Sequence, residues 1–222
     1  MPENHARAYR ELRVRVTELF QESGDASARP VPATPEWTVH DLLAHFVGVS
    51  DDVVHGRMEG VASDGWTAKQ VERRRDQSLE ELLEEWDEHA PTFEALLTDG
   101  PPAITGQALF DASTHEHDLR HALAKPGARD SDALAFAWTW ALDVRDASGA
   151  PAIRYESEIE TRVAGVGEPE VTVRAPRFEF VRAMTGRRTA EEITAFEWSC
   201  EPRPELLVAA PLFHMRAESL DE

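Results

Sequence analysis

Apolar residues recur at helical spacing through most of the first 150 positions. Ala6, Tyr9, Leu12, Val16, Leu19 and Phe20 form one stripe between about Glu3 and Glu22, and Gly24 with Pro30, Pro32 and Pro35 ends that element. Thr38 and Asp41 form a capping-box-like start with Trp37 at the staple position, and Val39, Leu42, Leu43, Phe46, Val47 and Val53 follow on a second helix. Ser78 and Glu81 open a third, striped by Leu79, Leu82, Leu83, Trp86, Phe93 and Leu97, which Pro91 should kink or divide. Pro101-Pro102 precedes a helix predicted from about Thr105 to Ala124, and a fifth, rich in Leu134, Phe136, Trp138, Trp140 and Leu142, spans about Ser131 to Ala147. Five such segments make a helical bundle.

Beyond Ser148-Gly-Ala-Pro151 the period changes. Residues 152–163 roughly alternate apolar and polar and, with Val171-Thr-Val173, read as strands. Helical spacing resumes from Pro176 to Met184, and Thr189 with Glu192 marks a short helix ending near Trp198. The chain therefore reads as mainly α: an up-down bundle over residues 1–150, then a small α+β domain over residues 151–222.

A length of 222 residues with 41% hydrophobic side chains supports a genuine core. The formal charge of −19 argues against nucleic acid as a partner, because that affinity comes largely from arranged Lys and Arg. Cys200 is the single cysteine, so no intrachain disulfide forms, and its surroundings favour a buried or inert thiol. No run approaches the roughly 18 apolar residues of a membrane span, and no signal-like segment precedes the charged start. The expectation is a cytoplasmic protein with no membrane partner, for which a homodimer is one allowed state.

Three side chains suited to metal lie on the apolar stripes. Asp111 and His115 are four residues apart, about 40° apart around a helix, on a face shared with Ala108, Ala112, Leu119 and Ala122. A carboxylate and an imidazole facing a core need a partner, since an unpaired buried charge costs several kcal/mol. His45, on the stripe of Leu42 and Val49, faces the same interior. Two histidines and one carboxylate with a position left open is the catalytic arrangement for Zn²⁺ and also suits other divalent metals; each histidine taken alone is more often an ordinary core or boundary residue. His117 and His121 are also four apart, on a different face from His115 that reads as solvent-exposed. Asp118 is a candidate to hold a ligand imidazole from behind. His40 and His55 read as surface residues, and Arg73-Arg74-Arg75 as a solvated helix face. Trp37, Trp86, Trp138 and Trp140 read as core. Arg182, Arg187 and Arg188 could seize an anionic cofactor or substrate, or form a salt-bridge patch against the acidic bundle.

Trp37-Thr-Val-His-Asp-Leu-Leu-Ala-His45-Phe-Val-Gly resembles the W-[ST]-V-x-D-L-x-x-H-[LV]-x-G stretch of the mycothiol-dependent maleylpyruvate isomerase family, a branch of the DinB-like metal-binding bundles. Asp111-Ala-Ser-Thr-His115-Glu-His-Asp118-Leu resembles its E-x-x-x-H-x-x-D-[LV] helix, and the segment from Phe180 to Thr189 resembles its F-R-A-L-x-G-R-R-S. The three matches are in order and span most of the chain. Asp111 departs from the usual glutamate by one methylene, which puts metal distance, affinity or identity in play. The resemblance implies that His45, Asp111 and His115 ligate a divalent metal, usually zinc. It also implies that the metal activates mycothiol or a similar small thiol toward an electrophilic substrate, for thiol transfer or isomerisation. Arg182, Arg187 or Arg188 would then orient an acidic group of the thiol or substrate. The alternative is a noncatalytic metal- or ligand-binding accessory or regulatory protein on the same bundle.

Overall fold

The stripe of the first helix is fully sequestered: Ala6, Tyr9, Leu12, Val16, Leu19 and Phe20 are all buried in α1 (Pro2–Gln21). Each large apolar side chain so placed is stabilised by roughly 1.5–3 kcal/mol relative to exposure. The computed structural model describes residues 2–208 and 213–222, which divide at Gly127/Ala128 into two compact units.

In the first unit a short hairpin, β1 (Pro30–Val31) and β2 (Thr34–Thr38), leads directly into α2 (Val39–Val54). The capping box read from Thr38 and Asp41 is present: the Asp41 N–H donates to Thr38 Oγ1 and the Thr38 N–H donates to Asp41 Oδ2. A second box, Ser78 with Glu81, opens α4 (Leu79–Asp99). Pro91 lies inside α4 as one undivided element, so the expected division does not occur. Helix α5 (Pro102–Ala122) starts three residues before its expected Thr105, because a proline at the first helical position gives up only an N–H that has no intrahelical acceptor. Helices α1 and α2 each pack against both α4 and α5. Trp86 sits at the centre, donating from its indole N–H to the Tyr9 hydroxyl at 3.2 Å. An additional helix that the hydrophobic pattern does not predict, α3 (Asp64–Arg74), packs on α2.

The second unit corrects the expected boundary near residue 150. Helix α6 (Asp132–Ser148) contributes Leu134, Trp138 and Leu142 to one core with Ile153, Tyr155, Val171 and Phe180, so it belongs with the C-terminal elements rather than the bundle. Trp138 stacks on Phe180 at 5.3 Å. The alternating segment holds two strands, β3 (Pro151–Glu156) and β4 (Thr161–Ala164), because Ser157 Oγ accepts from the Ile159 and Glu160 N–H groups and turns the chain. The sheet order is β4-β3-β5-β6, with β5 (Val166–Arg174) parallel to β3, and β4 and β6 (Glu197–Trp198) antiparallel to their neighbours. Helices α7 (Arg177–Met184) and α8 (Ala190–Thr194) complete the unit; α8 stops at Thr194 rather than near Trp198, which pairs into β6 instead.

Candidate metal centre

Helix α2 carries His45 and helix α5 carries Asp111 and His115, and the packing of these two helices brings the three side chains together. His45 Nε2 lies 3.3 Å from Asp111 Oδ2, and His115 Nε2 lies 3.7 Å from Asp111 Oδ1. One ligand atom from each residue can be chosen so that all lie within 4.8 Å of one another. Ligands held about 2.1 Å from a tetrahedral ion sit about 3.4 Å apart, so the observed spacing suits a shared cation. Direct hydrogen bonding does not account for it equally well: His45 Nε2 is buried and makes no hydrogen bond despite its proximity to Asp111.

The far side of each imidazole is occupied. His115 Nδ1 is 3.1 Å from Asp118 Oδ2, the supporting position anticipated for that fully buried carboxylate. His45 Nδ1 is 2.9 Å from Gln70 Oε1 of α3. Both rings thus direct Nε2 toward Asp111. Trp37, delivered by β2, packs against both, at 5.0 Å from His45 and 5.6 Å from His115, and is half-buried; it belongs to the wall of this site rather than to the core expected for it. Phe46 meets His115 edge-on at 6.3 Å. The Asp111 side chain is 39% exposed while both imidazoles are buried, so solvent reaches the trio from the carboxylate side.

Among the described residues Asp51, Glu85 and His89 form a second group close enough to share an ion. That group already holds cations: Arg74 Nη2 bridges Asp51 and Glu85, and Arg57 also pairs with Asp51. Burial pushes the Asp51 carboxyl up, but hydrogen bonds from Arg57 and Arg74 outweigh it and bring its pKa down to about 2. Two guanidinium groups therefore do there what a metal would do.

Several expectations are corrected. The His117 face of α5 is not solvated: Phe110, Thr114 and His117 are buried and His121 is half-buried, because α5 is covered on most sides. Arg74 is buried rather than part of a solvated face, and Arg73 binds Asp52 at 2.6 Å. His40 is half-buried and contacts Gln77 O at 2.7 Å; His55 is exposed. Cys200 is exposed, its thiol donating to Glu201 O at 3.4 Å.

In the second unit Arg182, Arg187 and Arg188 are all buried. Arg182 forks onto the Glu222 carboxylate, Arg188 Nη1 shares it at 2.7 Å while its Nε reaches Glu179 at 2.6 Å, and Arg187 donates to Thr185 O at 2.6 Å. Glu179 and Glu222 belong to the same unit, so these pairs do not need the acidic bundle.

Residues 9–114 match the family model described as the mycothiol maleylpyruvate isomerase N-terminal domain. No curated protein matches the chain. A crystal structure of the mycothiol-dependent maleylpyruvate isomerase superposes with a TM-score of 0.56 at 14% identity, covering 92% of this chain and 95% of that one. A histidine-to-alanine mutant of that enzyme gives 0.55 at 13%, with the same coverage. At such identity the likeness carries the fold, and none of the described helices is long and apolar enough to cross a membrane. Residues 9–114 thus carry a mycothiol maleylpyruvate isomerase N-terminal domain, and the chain shares the fold of the maleylpyruvate isomerase structures.

Proposed function

We propose that this protein is a metal-dependent enzyme that uses mycothiol or a similar small thiol for transfer to, or isomerisation of, an electrophilic substrate. The observation that carries the reading is the convergence of His45 Nε2, His115 Nε2 and the Asp111 carboxylate on one solvent-reachable point, with each Nδ1 occupied from behind. A divalent cation held there, with zinc the first choice, would fix the sulfur of the thiol and lower its pKa into the working range.

The chain's own residues account for the rest of the task. His45 and His115 supply neutral nitrogen donors, and Asp111 supplies one negative charge at the open side. Trp37 and Phe46 form apolar walls that keep water from the back of the site. No protein thiol is required by this reading. Arg182, Arg187 and Arg188 are proposed as an anion-binding cluster within the second unit for an acidic cofactor group, which would have to replace or share the Glu222 carboxylate.

The test is elemental analysis of protein purified without an affinity-tag metal column, beside thiol-transfer and isomerisation assays with electrophiles. Stoichiometric metal and turnover that requires the thiol are expected. Stoichiometric metal without any thiol-dependent turnover would instead make the protein a noncatalytic binder, and absence of metal affinity would remove the reading altogether.

A further inference from the structure

We propose that Gln70 is the positioning residue for His45, orienting its ring and fixing the proton on Nδ1 so that Nε2 presents a lone pair to the metal. The inference rests on the metal reading above and assigns a role to a side chain outside the trio. Gln70 is fully buried, and its amide makes two contacts of opposite polarity: Nε2 donates to Asp52 Oδ2 at 2.9 Å, and Oε1 faces His45 Nδ1 at 2.9 Å.

The polarity of this chain is set from its far end. Asp52 Oδ1 accepts from Arg57 Nε at 2.7 Å and from Arg73 Nη2 at 2.6 Å. Burial pushes the Asp52 carboxyl up, but the hydrogen bonds from Arg57, Gln70 and Arg73 outweigh it and hold it below the usual carboxylate range. An ionised carboxylate can only accept, so the amide turns its NH₂ toward Asp52 and its oxygen toward His45. That oxygen can also only accept, which requires the proton on Nδ1 and leaves Nε2 bare.

Local packing is built around this reach. A Cβ at Gly48 would stand 2.4 Å from Gln70 Cβ and 2.7 Å from Gln70 Cγ, so only glycine lets α3 approach α2 here. Gly48 lies three residues after His45, on the same side of α2, and that is where Gln70 crosses toward the ring. The two histidines thus have different supports, a carboxylate behind His115 and a neutral amide behind His45. An amide orients the ring without bringing a second negative charge against Asp52.

The experiment titrates Co²⁺ and Zn²⁺ into metal-free full-length protein, reading the dissociation constant by calorimetry and the ligand-field absorption of the Co²⁺ form. Wild type, His45→Ala, Gln70→Ala, Gln70→Glu and Gln70→Glu combined with Asp52→Asn are compared, with folding of each checked by circular dichroism. Gln70→Ala is expected to weaken metal binding about 10- to 100-fold and to alter the Co²⁺ spectrum while remaining folded. Gln70→Glu alone sets two carboxylates face to face and is expected to bind poorly. Adding Asp52→Asn restores a donor opposite the new acceptor and should recover most of the affinity, a rescue that a packing role would not produce. Folded Gln70→Ala that binds within about 2-fold of wild type, with His45→Ala abolishing binding, would overturn the role of Gln70 and leave the metal reading intact. Wild type that binds neither metal would overturn the metal reading and this inference with it.

Discussion

Replacing Gly48 by alanine tests whether the closeness of α2 and α3 is a designed feature of the site, because two effects of opposite sign compete there. In an open helix interior alanine is about 1 kcal/mol more favourable than glycine. At position 48 the new methyl would stand 2.4 Å from Gln70 Cβ and 2.7 Å from Cγ, against the roughly 3.5–4.0 Å of an ordinary carbon contact. Gln70 Cβ is fixed to the α3 backbone, so no side-chain rotation relieves the overlap and the helices must separate by about 1 Å. Overpacking of that kind costs about 1–3 kcal/mol. With a contact this short, the strain outweighs the propensity gain and a net loss of about 2 kcal/mol is expected. Gly65, on α3 with nothing within 4 Å of its hypothetical Cβ, is the control: Gly65→Ala should raise stability by up to about 1 kcal/mol. Urea unfolding of both variants, comparing midpoints at constant m-value, reads the two signs side by side. A Gly48→Ala protein as stable as wild type or more so would refute the reasoning.

His115→Ala should abolish metal binding, whereas His121→Ala should leave it unchanged; equal loss in both, by metal titration, would mean that the other side of α5 holds the ion. His117→Ala, at a buried position outside the trio, should lower thermal stability by about 1–3 kcal/mol with metal affinity retained. Arg74→Ala leaves Asp51 and Glu85 facing each other without their shared cation and should cost about 3 kcal/mol, measured by denaturant unfolding; a neutral result would contradict its bridging role. The Asp51 pKa is depressed to about 2 in the folded chain, so its contribution is complete above about pH 4 and fades as pH falls toward 2. After allowance for solvent screening this amounts to about 1 kcal/mol, and Asp51→Asn should flatten the corresponding part of the stability–pH curve.

Features coded by short-range chemistry were legible in the sequence. Thr38/Asp41, Ser78/Glu81 and Thr189/Glu192 are all real capping boxes, since a cap depends only on residues three positions apart. The proximity of Asp111 and His115 follows equally from helical geometry. What stayed hidden depended on which surface covers a face. Helix α6 has the period of a bundle helix, but nothing in that period says that Trp138 meets Phe180 rather than the bundle. The sequence of α5 predicts one apolar face, yet Ala112 to Leu119 are buried without interruption, including Thr114, Glu116 and His117. A helix enclosed on most sides has no solvent face for polar residues to mark, and its polar groups are met by partners instead, as Arg15 and Arg120 meet Glu116.

The most consequential omission, α3, has the same cause in sharper form. Its buried residues are Trp66, Gln70 and Arg74, spaced as regularly as any core stripe, but two of the three are polar and a hydrophobicity pattern passes over them. Each is buried because it bonds to something specific: Trp66 to Arg57 O, Gln70 to His45 and Asp52, Arg74 to Asp51 and Glu85. The acids Asp51, Asp52 and Glu85 are matched by Arg57, Arg73 and Arg74, so this cluster is charge-balanced without a metal. In the trio, the His45 and His115 Nε2 atoms both face the Asp111 carboxylate, and Asp118 backs His115. Gln70, neutral and bonded to both His45 and Asp52, is the side chain that joins these two neighbouring clusters without adding a charge to either.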